Sequence, residues 1–418
     1  MRIGVCLWQF PVLSETFVLN QITWLLDRGH DVRIYAKRHM KGPAHGDVEK
    51  YKLLEKARFR AGRLTGSLGP TGARGPGMLR ALRRPATAMR LVNPIRHGGH
   101  AASLRLLASA AGWMDDWRPE VLLCHFGPAS ALAARLRSCG VFDAPMAAFF
   151  HGGDLFDTGA ADKAFLFREA ERVCAVSQRM RGQLVEMGCP ETKVRVQKMG
   201  VDLSRFAFVD RGVSFAEPLR LLTVARLVPI KGLEWAVRGV AALPETIRRR
   251  VRYTVVGGGP LMEELVRLRD SLGLAGTVEF TGSLDQDAVI GHTRDAHVFL
   301  FPSVAMPDGK QESMGVAAME AMACGVPVIG ARTGGIPELV LDGQCGFLVP
   351  EKDPAAIAGA IAKFLDNPGM LSTMGAAARK HVEQEHDLEK QNRSLEEMLM
   401  GLIAQHRATN NAGTGGER

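Results

Sequence analysis

Two glutamates eight residues apart are the residues best suited to chemistry in this 418-residue chain. Glu312 lies in the segment 311–315 (QESMG), and Glu320 follows in an Ala-rich stretch that ends at Gly325. This pattern predicts a helix that begins between the acids and follows a buried strand and Pro302. On a helical path the pair spans about 12 Å, with the side chains roughly 80° apart. One acid can then serve each end of an elongated polar ligand, although two solvated helix acids are the alternative.

Two cations stand where a strand is expected to pass into a helix. Arg226 follows the apolar run 219–224, and Lys231 directly precedes the next amphipathic segment. Cations at such a junction can hold a diphosphate, whereas ordinary loop charges are the alternative. The turn Gly257–Gly259 also follows a strand. It lacks the spacing of the dinucleotide fingerprint and the P-loop lysine, so it predicts only a close backbone approach.

A histidine motif ends another predicted strand. His151 is followed by Gly152, Gly153 and Asp154, a better setting for a binding site than that of an isolated histidine. His125 has a similar position, but we expect it to be structural. The loop after the first strand contains Ser14, Glu15 and Thr16. Ser14 is expected to cap the following helix, and donors in its first turn can meet an anion.

No metal or cofactor site is expected. Asp285 and Asp287 have the D-x-D spacing of metal-dependent transferases, but they begin a predicted helix, where capping explains them. The seven cysteines are scattered and form no C-x-x-C pair, which favours reduced thiols in the cytosol over a zinc site.

The net charge of +9 is concentrated in one segment. Between Arg58 and Arg96 the chain has nine arginines and no acidic residue. Gly and Pro around 66–77 predict a loop there. A solvated insertion, a nucleic-acid patch and a surface for anionic lipid are the three alternatives. Scarce aromatic residues disfavour nucleic acid, and the apolar residues of a basic amphipathic stretch favour lipid: Met78, Leu79, Leu82, Met89 and Leu91.

Strand and helix patterns alternate through both halves of the chain, which predicts an α/β protein with parallel sheets. We expect two Rossmann-like domains, 1–205 and 206–386, that face each other across a cleft. A helix over 387–407 is expected to cross back to the first domain, and the tail 408–418 to be disordered. The sequence has no run of eighteen apolar residues, so no membrane-spanning helix is expected.

Taken together, these motifs resemble the retaining family-4 glycosyltransferases of the GT-B fold, over nearly the whole chain. The resemblance rests on the E-x7-E pair, on Arg226 with Lys231, on 151–154 (HGGD), on 200–202 (GVD) and on 333–338 (TGGIPE). The opening segment 10–17 (FPVLSETF) and the motif 125–127 (HFG) are similar to a subgroup that builds colanic-acid-type and other bacterial exopolysaccharides.

The resemblance implies a role for each matching residue. Glu320 would hold the ribose of a sugar nucleotide, Glu312 the donor sugar, and Arg226 and Lys231 the departing diphosphate. His151 would border the acceptor and the donor sugar. The remaining donor contacts would come from the loops nearby: Gly258, Thr281, Gly282, Leu284, Ser313, Met314 and Gly315. The acceptor or phosphate loop would comprise Ser14, Glu15, Thr16, His125 and Asp154.

The implied activity is metal-independent transfer of a sugar, with retained configuration, to a glycan or a polyprenyl-diphosphate-linked oligosaccharide. A donor phosphate oxygen would take the acceptor proton, and domain closure would exclude water. We expect a cytoplasmic enzyme, peripheral on the inner face of the membrane. Two departures stand out: Leu13–Thr16 replaces the Gly-Gly pair that the family often has in the first loop, and Met314 replaces a Phe.

Other functions compatible with this fold are a nucleotide-sugar epimerase and a phosphorylase. A phosphorylase would need a pyridoxal phosphate lysine or an inorganic phosphate site, and neither is recognisable in the sequence. A catalytically silent nucleotide-sugar-binding partner is a further alternative. It would bind nucleotide sugar without turning it over.

Overall fold

The computed structural model describes residues 1–12, 15–42, 44–60, 84–93, 105–212 and 218–414. Its internal contacts divide the chain into two compact units. The first comprises Met1–Val176, Arg181–Gln197 and Asn392–Arg418, and the second comprises Ser177–Met180 and Lys198–Gln391. The second unit thus begins before the boundary that we expected at 206. Both units are α/β, as the alternating pattern predicts.

The first unit is built on a seven-stranded parallel sheet of order β3-β2-β1-β4-β5-β6-β7. Its central strands are largely apolar with little alternation, because helices cover both faces of a parallel sheet. In β1, for example, five consecutive residues are buried. The strands are β1 Arg2–Phe10, β2 Asp31–His39, β3 Ala57–Phe59, β4 Val121–His125, β5 Met146–Phe150, β6 Arg172–Ala175 and β7 Val194–Val196.

Helices connect these strands, and the last helix of the chain completes the core. Leu395, Met398, Leu399 and Leu402 of that helix pack with the apolar residues of β1 and β2 and with α1. The helices are α1 Thr16–Asp27, α2 Gly46–Lys50, α3 Pro85–Leu91, α4 Arg105–Trp113, α5 Gly127–Ser138, α6 Asp154–Asp157, α7 Ala160–Glu169, α8 Gln178–Glu186 and, at the end of the chain, α17 Leu388–Thr414.

The second unit has a six-stranded parallel sheet of order β10-β9-β8-β11-β12-β13. Its strands are β8 Leu219–Val224, β9 Val251–Val256, β10 Val278–Gly282, β11 Val298–Phe301, β12 Val328–Ala331 and β13 Gly346–Val349. Its helices are α9 Leu233–Ala241, α10 Glu245–Arg248, α11 Met262–Ser271, α12 Gln286–Asp295, α13 Val316–Ala323, α14 Ile336–Leu339, α15 Pro354–Asp366 and α16 Gly369–Glu385.

The last helix is longer than predicted. It continues to Thr414, so the expectation of disorder from Ala408 is wrong up to that residue, and 415–418 lie outside the described residues. In the part of the chain that the structure describes, no helix is both long and apolar enough to cross a bilayer.

Arg211 joins two helix ends in the second unit. Its Nε donates to the carbonyl of Ala296 at 2.6 Å and its Nη2 to that of Arg294 at 3.1 Å, at the end of α12. Its Nη1 donates to the carbonyl of Cys324 at the end of α13, the helix that carries Glu320. Burial lowers its pKa to about 10, so the guanidinium stays charged at neutral pH. A cation at helix C-termini complements the helix dipole and satisfies carbonyls that lack a helical partner.

We predict that Arg211→Ala destabilises the protein by about 3 kcal/mol, because several charge-assisted hydrogen bonds are lost and the buried carbonyls lose their donor. The measurement is urea unfolding followed by circular dichroism. Arg267→Ala is the control, since the Arg267 ion pair with Glu263 is highly exposed and should contribute less than about 1 kcal/mol. Equal midpoints for the two variants would contradict the prediction.

Candidate active site

The predicted donor residues follow the carboxyl ends of neighbouring strands in the second unit. Arg226 follows β8, Gly257–Gly259 follow β9, and Thr281 and Gly282 end β10. These three strands are adjacent and parallel, so their carboxyl ends lie at one edge of the sheet. Open α/β sheets bind ligands at this edge. Arg226 is exposed to solvent at this edge of the sheet.

The glycine turn after β9 lies directly against the backbone that carries Arg226. Leu227 N donates to the Gly258 carbonyl at 2.9 Å, and Gly257 N donates to the Gly282 carbonyl at 2.9 Å. Gly257 has φ +137°, and a Cβ there would overlap the Ala225 carbonyl. The close approach predicted from sequence is therefore an approach to the Arg226 loop, and glycine is required for it.

Lys231 and Glu312 form an ion pair. Lys231 ends the 3-10 turn Pro229–Lys231, and its Nζ donates to Glu312 Oε2. The Ser303 hydroxyl donates to the same oxygen at 3.2 Å, from the loop that follows β11. Both charged side chains are largely buried, with exposed fractions of 20% and 11%. The pair brings together a predicted phosphate ligand and a predicted sugar ligand, and Ser303 is a contact that sequence reasoning missed.

The helix begins between the two acids, as predicted, but Glu312 does not lie on a helical path to Glu320, so helix geometry does not set the spacing of the pair. The helix α13 starts at Val316, and Gly315 before it has φ +77°. The segment 311–315 has no regular structure. Met314 in this segment is fully buried. The left-handed residue breaks the helix between the two acids, and Glu312 is oriented by Lys231 and Ser303 instead.

The backbone of the motif 333–338 packs against the loop that carries Glu312. Gly335 N donates to the Glu312 carbonyl at 3.0 Å. A Cβ on Gly335 would overlap the carbonyl of Ser313, and one on Gly334 would overlap that of Glu312. The two backbones are thus in direct contact. A glycine pair ahead of a short helix is the signal from which this contact could have been predicted.

Glu320 is the second acid of the pair and lies on α13, partly buried. Burial raises its pKa to about 7, and nearby Arg205 opposes the shift. Arg205 is held by a turn in which Asp202 Oδ1 accepts hydrogen bonds from Ser204 N at 2.9 Å and from Arg205 N at 3.3 Å. This gives the motif 200–202 a physical role: its aspartate positions the cation beside Glu320.

His151 and His125 form a buried pair at the carboxyl edge of the first sheet. His125 Nδ1 and His151 Nε2 share a hydrogen bond of 3.0 Å. Burial lowers the pKa of His125 to about 3, and burial together with His125 lowers the pKa of His151 well below its ordinary value. Both imidazoles are therefore neutral at pH 7. His125 is completely buried, so it acts by orienting His151 rather than by touching a ligand.

Asp154 fixes the backbone on both sides of this pair. Its Oδ1 accepts from His151 N at 2.8 Å and its Oδ2 accepts from Gly127 N at 2.9 Å. Burial raises its pKa to about 6, and the hydrogen bonds from these two amides oppose the shift. The aspartate thus ties the loop after β5 to the start of α5.

The first turn of α1 contributes an aromatic ring that packs near His151. Phe17 lies 4.6 Å from the His151 ring, and Phe126 lies 4.9 Å from it. The helix cap assigned to Ser14 by the sequence is Glu15 in the structure, without a side-chain capping bond. Thr16 begins α1, and Ser14 lies outside the described residues.

The aspartates with metal-type spacing have a structural role. Asp285 caps α12, and its carboxylate accepts from Ala288 N at 2.9 Å, which confirms the capping interpretation. Asp287 is almost fully exposed and lies 3.7 Å from Arg205. Among the described residues, no cluster of three or more histidine, cysteine, aspartate or glutamate side chains has the arrangement of a metal site. All seven cysteines are buried thiols.

Each half of the chain matches a glycosyltransferase family model. Residues 14–205 match "Glycosyltransferase Family 4", and residues 207–381 match "Glycosyl transferases group 1". The chain is 37% identical to the putative colanic acid biosynthesis glycosyltransferase WcaL of Escherichia coli (strain K12), over 96% of this chain and all of that protein. It is 32% identical to the amylovoran biosynthesis glycosyltransferase AmsK of Erwinia amylovora, with the same coverage.

Solved structures share the fold. Alr3699/HepE from Anabaena, solved in complex with UDP-glucose, superimposes with a TM-score of 0.70 at 19% identity, and the match covers 96% of this chain and all of HepE. At that identity the likeness concerns the fold, which is the two-domain GT-B fold predicted from the sequence. On its full-length relatives and both family models, the chain belongs to the retaining family-4 glycosyltransferases, in the group that builds bacterial exopolysaccharides.

Proposed function

We propose that this glycosyltransferase takes its sugar from a nucleotide diphosphate donor bound at the carboxyl edge of the second sheet. The ion pair of Lys231 with Glu312 carries the proposal, because it sets a phosphate ligand beside a sugar ligand. Arg226 and Lys231 bind the diphosphate, and Glu312 accepts hydrogen bonds from the donor sugar. Glu320 holds the ribose. The loop residues Gly258, Thr281, Gly282 and Leu284 border the base.

The proposed reaction retains the configuration at the sugar carbon C1. The acceptor hydroxyl oxygen forms a bond to C1 on the face from which the diphosphate leaves. The bond between C1 and the phosphate oxygen breaks, and its electron pair stays on the diphosphate. A phosphate oxygen of the donor takes the acceptor proton. Arg226 and Lys231 stabilise the charge that develops on the leaving group, a type of stabilisation that is often the largest contribution to catalysis.

The proposed enzyme works without a metal ion. The charge that a divalent cation would neutralise on the diphosphate is met by Arg226 and Lys231, and guanidinium groups suit phosphate oxygens geometrically. The neutral His151 has a different role, because it exchanges hydrogen bonds with sugar hydroxyls of the acceptor and donor. Its ring is held by the hydrogen bond with His125 and by contacts with the rings of Phe17 and Phe126.

The proposed acceptor is a glycan on a polyprenyl-diphosphate anchor, and the enzyme approaches it from the cytoplasmic face of the membrane. The arginine-rich segment supports this location. Two residues of this segment are engaged within the protein and are not part of the proposed lipid-binding surface. Arg58 donates to backbone carbonyls and lies 3.4 Å from Asp115, and Leu91 is fully buried. Met89 is 69% exposed beside the exposed Arg90, whereas Met78, Leu79 and Leu82 lie outside the described residues.

We predict that Arg226→Ala and Glu320→Ala each weaken the binding of the cognate sugar nucleotide by about tenfold or more, since a charge-assisted hydrogen bond is lost. A panel of uridine and guanosine sugar nucleotides, tested by calorimetry and by slow hydrolysis, identifies the donor. Arg238→Ala is the control, because Arg238 is an exposed cation on the outer side of α9. Unchanged affinity in both site variants would reject the assignment. Binding of a sugar nucleotide without any hydrolysis or transfer would favour the alternative of a catalytically silent nucleotide-sugar-binding protein.

We predict that donor affinity rises as pH increases through about 7. The raised pKa of Glu320 means that its carboxyl is partly protonated in the empty site, and the ribose hydroxyls favour the carboxylate. Binding therefore releases a proton. The measurement is calorimetry of the intact sugar nucleotide at pH 6 and 8, in two buffers of different ionisation enthalpy. Both phosphates of this ligand are esterified and do not titrate in that range.

Glu320→Gln provides the control for this pH dependence. It keeps the size of the side chain but cannot ionise, so its affinity should change little between pH 6 and 8. A wild-type affinity that is constant with pH, or that falls as pH rises, would contradict the role of Glu320.

We predict that the protein binds vesicles containing phosphatidylglycerol and that salt weakens this binding, because the attraction is electrostatic. Replacement by glutamine of four arginines of the basic segment should reduce binding at least about tenfold: Arg63, Arg74, Arg80 and Arg83. The charge-matched control replaces four exposed arginines of the second unit: Arg249, Arg250, Arg252 and Arg267. Co-sedimentation measures both. Equal loss in the two variants, or binding that is insensitive to salt, would contradict the membrane proposal.

A further inference from the structure

A cavity of about 210 Å³ opens in the first unit, outside the residues assigned above. One wall is formed by Trp8, Lys37 and Arg60, near the carboxyl ends of β1, β2 and β3. The opposite wall comes from α4 and α5, with Arg135 on α5. The cavity is far larger than the space that one water molecule needs.

The sheet register explains why the first wall has this composition. Leu7 pairs with Ala36 and Gln9 with Arg38, so Trp8 and Lys37 lie side by side. Arg60 N donates to the Ala36 carbonyl at 3.2 Å, which places Arg60 next to Lys37 in the continued register. An indole, an ammonium and a guanidinium therefore form one row on one face of the sheet.

This row has the chemistry of a site for an anionic sugar. The Lys37 Nζ lies 3.3 Å from the centroid of the Trp8 ring, so the ammonium is held over the indole. Lys37 lies on β2 and Arg60 directly follows the neighbouring strand β3, so one anionic group in the cavity can meet both cations. An indole beside them also offers an apolar face to the C–H groups of a sugar ring.

The rest of the lining adds both cationic and anionic side chains that can form hydrogen bonds. Arg135 is only 7% exposed, and its Nη2 donates to Asp162 at 2.6 Å, which fixes that wall. Asp157 and Thr158 line the cavity next to Asp162. The Thr158 hydroxyl donates to the Asp154 carbonyl at 2.7 Å, so the cavity borders the helix that holds the His151 loop.

We propose that this cavity binds a sugar of the acceptor that carries an anionic group, with Lys37 and Arg60 meeting the anion. The proposal rests on the glycosyltransferase function and deepens it by naming the acceptor class. A carboxylate of an acidic sugar and a phosphate on the sugar share this chemistry. Trp8 contacts the sugar ring, and Asp157 and Asp162 accept hydrogen bonds from its hydroxyls.

The test is tryptophan fluorescence of the full-length protein, titrated with methyl glucuronide, glucose 1-phosphate and methyl glucoside. We expect the glucuronide or the sugar phosphate to bind at least about tenfold more tightly than the neutral glucoside, and the tighter of the two identifies the anion. Lys37→Met should remove most of this preference. Trp8→Phe should remove the fluorescence change, while saturation-transfer NMR still detects the ligand.

Arg38→Gln is the matched control, because Arg38 is the next residue of the same strand and points to the opposite face. It removes the same charge and should leave the preference intact. Equal affinity for all three glycosides, or equal effects of Lys37→Met and Arg38→Gln, would overturn the proposal. Donor binding measured on the same preparations separates this outcome from failure of the donor site, since Lys37→Met should leave sugar-nucleotide affinity unchanged.

Discussion

The ion pair between Lys231 and Glu312 is the interaction on which the candidate donor site depends. Lys231 ends a 3-10 turn and Glu312 lies in a segment without regular structure, so neither is oriented by an α-helix or a strand of its own. In a partly buried setting, each charge needs the other, because an unpaired buried charge is costly. A donor offers both of them new partners: phosphate oxygens to the lysine and sugar hydroxyls to the glutamate. The ion pair therefore satisfies both charges before the proposed donor binds. When the donor binds, its phosphate and hydroxyl groups replace the contact between the two side chains.

Contacts between backbones hold the loops of the candidate donor site in place. Gly335 lies against the Glu312 loop, and Gly257 lies against the Arg226 loop. In both places a hydrogen bond joins two loops at a distance that only glycine permits. Loops built this way have little freedom to shift, which is what a site needs to hold charges at fixed positions. The glycine turns thus fix the loops that carry Arg226 and Glu312.

The sequence predicts the strands well because parallel strands are short, apolar and bounded by turns. It fails where that contrast is weak. The short strands β3 and β13, of three and four residues, have no pattern that predicts them, and the apolar run 326–329 predicts β12 two residues before its start at Val328. It also fails where a single backbone angle decides the outcome. Nothing in a glutamate spacing reveals that Gly315 is left-handed, so the helical path assumed between Glu312 and Glu320 does not exist. The role of Gly257–Gly259 needs the structure, since a glycine turn says that something is near but not what.

The candidate residues of the two units differ in charge: those of the second unit are cations, and the histidines of the first unit are neutral. This difference fits the proposed roles in binding the diphosphate and the sugar hydroxyls. The second unit exposes Arg226 and pairs Lys231, so permanent cations are ready for a diphosphate. The first unit buries His125 and keeps both imidazoles of its histidine pair neutral. A neutral imidazole can exchange hydrogen bonds with a hydroxyl, but it cannot compete for the negative charge of the leaving group. Desolvation of His151 therefore suits this histidine to the proposed exchange of hydrogen bonds with sugar hydroxyls and not to the binding of an anion.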